Sequence, residues 1–197
     1  MESEKLSSKI LKMLLKKFSA KHTITSIAKE IGITRVGIWK ILKKLEKENL
    51  ITLTTIGAGK TSAYIIGLNW ENPLLEKTLS LILTEEAVKN RRWMDNFKEL
   101  ENKVDFLIIY GSIFYSKEAN DIDILGIANK NKFVELESAI TKIQKTQIKK
   151  IHALNFTEAE FKQELEKLNK AFVDAIKKGI ILFGQEKFIK FIRGIKI

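Results

Sequence analysis

The 197-residue chain contains no cysteine, which excludes a disulfide framework and any thiolate-ligated metal centre. It has no apolar run long enough to span a bilayer, so no membrane partner is expected. The N-terminal stretch MESEKLSSKILKMLLKKF is amphipathic, like a targeting helix. Glu2, Glu4 and the lack of a small-residue cleavage site argue against that reading, and the expectation is a cytoplasmic protein. Proline occurs once, at Pro73. No internal repeat or low-complexity tract is visible. Against these absences, 45% of the residues are hydrophobic, enough for a real core in one ordinary domain or two small ones.

Acidic residues are scarce in the first third. Residues 1–70 carry 13 Lys and Arg against 5 Asp and Glu, within a chain of net charge +11. Such a basic segment suits a polyanionic partner, although lysine-rich surfaces also arise without one. Apolar residues recur at helical spacing at Leu6, Ile10, Met13 (or Leu14) and Phe18, with Lys9, Lys12, Lys16 and Lys17 on the remaining face. A second helix is predicted over 24–31, with Thr23 as cap and Gly32 as breaker. Thr34 caps a third, running to about Asn49. Two β-rich runs follow, 51–55 and 62–68, joined by the Gly-containing loop IGAGK. The segment WENP, with Pro73, marks a boundary between domains at 1–70 and 71–197.

On the third helix Ile38, Ile41, Leu42 and Leu45 share one arc, and Val36, Lys40, Lys43 and Lys47 share the opposite one. Together with the small Ala28, the turn at Gly32 and the cap at Thr34, the segment ITSIAKEIGITRVGIWKILKKLEKENLI resembles the helix-turn-helix of winged-helix regulators. That resemblance implies DNA as partner and often a homodimer. It places Thr34, Arg35 and Val36 at the DNA-facing start of a recognition helix, Arg35 toward guanine and Val36 toward a thymine methyl. Lys40, Lys43 and Lys44 would meet phosphates, and Lys60 would sit at the tip of the wing. The same arc could also be a solvated face, or a surface that binds protein.

The second half opens with a helical stretch over 74–100. A buried strand over 104–110, a strand over 121–128, a helix over 131–145 and a strand over 150–156 follow. Thr157 and Glu160 form a capping-box pattern. A helix ending at Gly179 leads to an apolar strand or extended tail over 180–183. The segment YGSIFYSKEANDIDILGI lies in the middle. Residues i and i+2 of a strand share a face, so Asp121 and Asp123 project together while Ile122 and Ile124 enter the core. Two parallel carboxylates repel unless a cation lies between them.

This pattern, a strand ending in Gly-Ser and a following strand with Asp-x-Asp, resembles the minimal members of the polymerase-beta-like nucleotidyltransferase superfamily over about residues 85–185. The resemblance implies an α+β chain: an N-terminal winged helix-turn-helix, then a small mixed sheet flanked by helices. It implies Mg²⁺ (or Mn²⁺) on Asp121 and Asp123, which would also be the catalytic residues, and an NTP as substrate or ligand. Gly111, Ser112 and Lys117 would meet the triphosphate. Three features depart from the pattern. Phe114-Tyr115-Ser116 stand where Ala-Arg-Gly is usual, and Asn120 stands where Ser is usual. The later strand, KKIHALNF, offers His152 and Asn155 but no third carboxylate. Two functions follow. One is a DNA-binding regulator whose second domain binds Mg-NTP. The other is an active transferase moving a nucleoside monophosphate onto a protein, nucleic-acid or small-molecule acceptor, with the winged helix as targeting module.

Overall fold

The computed structural model describes residues 2–57, 63–116 and 118–195. It divides into two compact units, residues 1–82 and 83–197. Among the described residues, no helix is long and apolar enough to cross a membrane.

The first unit begins with α1 (Glu2–Lys16), then the two-residue strand β1 (His22–Thr23) and α2 (Ile24–Ile31). A capping box built from Thr23 and Ser26 starts α2, satisfying two amides that a helix N-terminus leaves open. Gly32, with φ of +78°, stops it in the left-handed conformation. The third helix, α3 (Arg35–Lys47), starts where the Thr34 hydroxyl oxygen accepts the Gly37 amide at 3.2 Å. Ile38, Ile41, Leu42 and Leu45 are buried, as the spacing requires. The strands β2 (Ile51–Ile56) and β3 (Ala63–Leu68) pair antiparallel, and β1 adds to β3 to give the order β1-β3-β2. The pairing of β1 is a structural finding, because two residues are too short to show a period in sequence. Lys16 belongs to the polar face in the sequence pattern, yet it is buried.

One continuous helix is not what residues 74–100 form. Helix α4 (Pro73–Lys89) ends at Asn90, whose side-chain amide donates to the Glu86 carbonyl at 2.8 Å. The short helix α5 (Arg91–Asn96) and a 3₁₀ turn at Lys98–Leu100 follow. No Gly or Pro signals this break; a side chain competing for a helix carbonyl makes it.

The second unit is built on strands β4 (Phe106–Tyr110), β5 (Asp121–Ile127), β6 (Lys150–Phe156) and β7 (Ile180–Phe183) in the order β6-β5-β4-β7. The pair β5–β6 is parallel, and both pairs made by β4 are antiparallel, so the sheet is mixed. Helix α6 (Phe133–Gln144) sends Leu136, Ala139 and Ile143 into a core with Leu107, Ile109, Ile122 and Ile124. Phe106 packs on Phe161 of α7 (Glu158–Glu166) and on Phe188 and Phe191 of α9 (Gln185–Arg193), with ring centroids 5.3–6.3 Å apart. The α7 capping box of Thr157 and Glu160 is formed. Helix α8 (Lys170–Lys178) runs up to β7.

Candidate functional sites

In the first unit the outer face of α3 is built by the same periodicity that builds its buried face. Arg35, Val36, Lys40, Lys43, Lys44 and Lys47 are all exposed, and Val36 keeps 67% of its surface. Thr34 is exposed beside them and spends its oxygen lone pair on the cap, which leaves its hydroxyl proton to donate.

The cations of this face are not equivalent. Lys43 pairs with Glu46 and lies over the Trp39 ring, 5.4 Å from its centroid. Trp39 in turn packs on Tyr64 of β3 at 5.2 Å, tying the helix to the hairpin. Lys44 lies 3.9 Å from Glu48. Arg35 and Lys40 have no hydrogen-bond or ion-pair partner among the described residues. Lys60, the expected wing-tip cation, lies outside the described residues.

In the second unit β4 ends at Tyr110, Gly111 turns the chain, and Ser112 opens a 3₁₀ turn, Ser112–Phe114. Gly111 has φ of +88° and ψ of −166°, a region open in practice only to glycine. A Cβ there would stand 2.0 Å from Asp123 Oδ2. The turn therefore brings backbone against carboxylate. Asp121 and Asp123 share one face of β5, and Ile122 and Ile124 are buried on the other.

The parallel register sets Asp121 opposite Lys150 and Asp123 opposite His152. His152 therefore joins the aspartates on their face. Its Nδ1 is 3.6 Å from Asp123 Oδ1, and its Nε2 is 3.9 Å from Asp121 Oδ1. Asn155, the other polar residue of β6 considered from sequence, lies on the opposite face. Its Oδ1 is 2.9 Å from where a Cβ on Gly126 would stand, so it packs against β5 away from the aspartates. Tyr110 stands across from Asp123. Burial, and then the Asp123 charge, push its phenol above the usual tyrosine range. Among the described residues no three His, Asp or Glu side chains form a ready metal cage.

A cavity of about 530 Å³ lies next to this turn, lined by Tyr110, Gly111, Ser112 and Tyr115 and by Ala171, Asp174, Ala175 and Lys178 of α8. Tyr115 donates to the Lys178 carbonyl at 3.4 Å, and the Lys178 ammonium reaches Asp174 at 3.3 Å. Sequence reading missed the α8 wall. The signal was there, since residues 171, 174, 175 and 178 fall on one helical face with two alanines leaving room. Lys117, an expected triphosphate contact, lies outside the described residues. The Arg92 guanidinium lies 5.3 Å from the centre of the Trp93 ring, and Trp93 packs on the core beside Phe97.

A protein-family model described as an HTH domain matches residues 7–59, so this segment of the chain is similar to helix-turn-helix domains. No curated protein matches the chain. Among solved structures, a point mutant of ZitR from Lactococcus lactis is matched over 73% of this chain and 75% of that one, at 19% identity and a TM-score of 0.33. A score that low carries no inference about shared architecture.

Proposed function

We propose that the protein is a DNA-binding regulator. Its residues 1–70 read DNA through α3, and its residues 71–197 bind a nucleoside triphosphate with Mg²⁺ or Mn²⁺. The observation that carries the DNA half is the exposed outer face of α3, where Arg35, Val36 and Lys40 are all open to solvent and Lys40 has no partner among the described residues, in a segment similar to helix-turn-helix domains. Base edges take the first two, and a phosphate takes the lysine.

The nucleotide half rests on the resemblance to minimal nucleotidyltransferases and is supported by the turn at Gly111 and the co-facial aspartates. Mg²⁺ is typically held by one or two carboxylates, with substrate phosphates and water completing its shell. Asp121 and Asp123 fit that role, and the turn at Gly111 sets the backbone against Asp123 at the edge of the cavity. A bound cation would neutralise the phosphate charge there. The cavity between the turn and α8 has room for the rest of a nucleotide. His152 favours a ligand-binding role over transfer, because it is an imidazole facing the aspartates and not a third carboxylate.

Calorimetric titration of each Mg-NTP into the full chain tests this reading. One or more should bind, and Asp121→Asn with Asp123→Asn should abolish the heat. Labelled NTP should leave no covalent label on protein or DNA. Label that appears, and vanishes in the double variant, makes the protein a transferase. Binding that survives the double variant removes these residues from the site.

A further inference from the structure

The cavity beside Gly111 has a second wall with chemistry of its own. Asp174 and Lys178 stand one turn apart on the face of α8 that lines it, and Ala171 and Ala175 keep that face low. The Lys178 ammonium lies 3.3 Å from Asp174 Oδ2. Among the described residues Asp174 has no other hydrogen-bond or ion-pair partner. A surface pair at this helical spacing is held weakly, so both groups turn to a ligand at little cost. Tyr115 keeps 70% of its surface, and its phenol donates to the Lys178 carbonyl at 3.4 Å. Its ring is thus tied to the end of α8 with aromatic surface open in the cavity. The volume, about 530 Å³, lies within the roughly 300–1,000 Å³ of small-molecule sites.

An open aromatic face takes a base by stacking, and polar groups beside it read the base's edge. A carboxylate only accepts, through two oxygens, and an ammonium only donates. Guanine presents two adjacent donors, N1–H and the 2-amino group, next to the acceptor O6. Adenine sets its amino group beside a bare N1, and cytosine sets its own beside a bare N3. In both, that lone pair faces the second carboxylate oxygen and repels it. Uracil has one N–H between two carbonyl oxygens, which repel the carboxylate from either side. Two acceptors followed by a donor therefore match guanine alone.

Resting on the nucleotide-binding reading of this site, we propose that the base it holds is guanine. Asp174 accepts from N1–H and the 2-amino group, Lys178 donates to O6, and the base stacks on Tyr115. The phosphates lie toward Gly111 and Ser112. Asp174 is the residue that sets specificity, since its two oxygens make the contacts the other bases cannot.

Calorimetry on the full chain with Mg²⁺ tests this. GTP should bind about tenfold or more tightly than ATP, CTP or UTP. Inosine triphosphate, which lacks only the 2-amino group, should bind about tenfold less tightly than GTP. Tyr115→Ser should weaken all of them alike, by about tenfold. Asp174→Asn replaces one acceptor with a donor, which suits the N1–H and 2-carbonyl of xanthine. That variant should lose its preference for GTP and gain one for xanthosine triphosphate, a switch that a merely structural aspartate would not produce. Equal affinity for the four common triphosphates, or a GTP preference unchanged in Asp174→Asn, would overturn the guanine assignment and leave nucleotide binding at the aspartates standing. Absence of heat with every Mg-NTP, with GMP still bound in preference to AMP without metal, would remove the aspartates from the site and keep the guanine wall. Binding of neither GTP nor GMP would overturn both.

Discussion

The turns that introduce the two candidate sites both rest on a glycine with positive φ, Gly32 at +78° and Gly111 at +88°. They differ in what surrounds them. A Cβ at Gly32 would meet nothing within 4 Å, whereas at Gly111 it would stand 2.0 Å from Asp123 Oδ2. Gly32 serves only a local conformation, the stop of α2 before α3. Gly111 serves a tertiary approach, in which the end of one strand presses on a carboxylate of the next. The helix-turn-helix face is thus assembled by neighbours in sequence. The aspartate site is assembled by strand register.

The sharpest way to break this comparison is to add one methyl to each glycine. Gly111→Ala combines a forbidden backbone with a clash and should cost about 3 kcal/mol or more. The readout is peptide-resolved hydrogen exchange over β4 and β5 of the full chain. Asp123→Ala made together with it should recover part of the loss, because it removes the atom struck. Gly32→Ala should cost about 1 kcal/mol, confined to α2 and α3. Equal losses at the two glycines would end the distinction.

Next in size are the two capping boxes, one in each unit. Thr23→Ala and Thr157→Ala should each cost about 1 kcal/mol, measured by the same exchange experiment over α2 and α7. Caps are local devices, so the two units should respond alike here even though their glycines do not.

A smaller effect concerns pH. His22 is buried in β1, and its Nε2 is 3.1 Å from the Lys17 carbonyl. Burial holds its imidazole below the usual histidine range. The unfolded chain therefore takes up a proton first as pH falls through about 6.5, and the folded state does not follow until lower pH. Stability of the first unit is full above that value and declines below it. Melting curves at pH 7.5 and 5.5 should show the decline, and His22→Gln should flatten it relative to the wild type.

What could be read in the sequence follows the same division. Both helices of the helix-turn-helix, their caps and their buried residues were legible because Thr23, Gly32 and Thr34 act within four residues of where they stand. The co-facial placement of Asp121 and Asp123 was legible from the two-residue period of a strand. The partner of that pair was not. His152 and Asn155 are three apart and must face opposite sides of β6, but only the parallel register, Asp123 against His152, says which one faces the aspartates. The end of α4 escaped because an asparagine made it, and β1 escaped because two residues carry no period. The α8 wall of the cavity needed a fold to set it opposite Gly111.

The most direct test of the account is the salt dependence of DNA binding by the wild type, Lys40→Ala and Lys43→Ala, followed by fluorescence anisotropy on mixed-sequence duplex. The wild type should bind at low salt with log affinity falling linearly against log salt concentration. Lys40→Ala should weaken binding and make that slope shallower by about 0.9, the loss of one phosphate contact. Lys43→Ala should do less, since Glu46 and Trp39 already hold that ammonium. No binding at low salt, or a Lys40→Ala slope identical to that of the wild type, would contradict the placement of DNA on the outer face of α3.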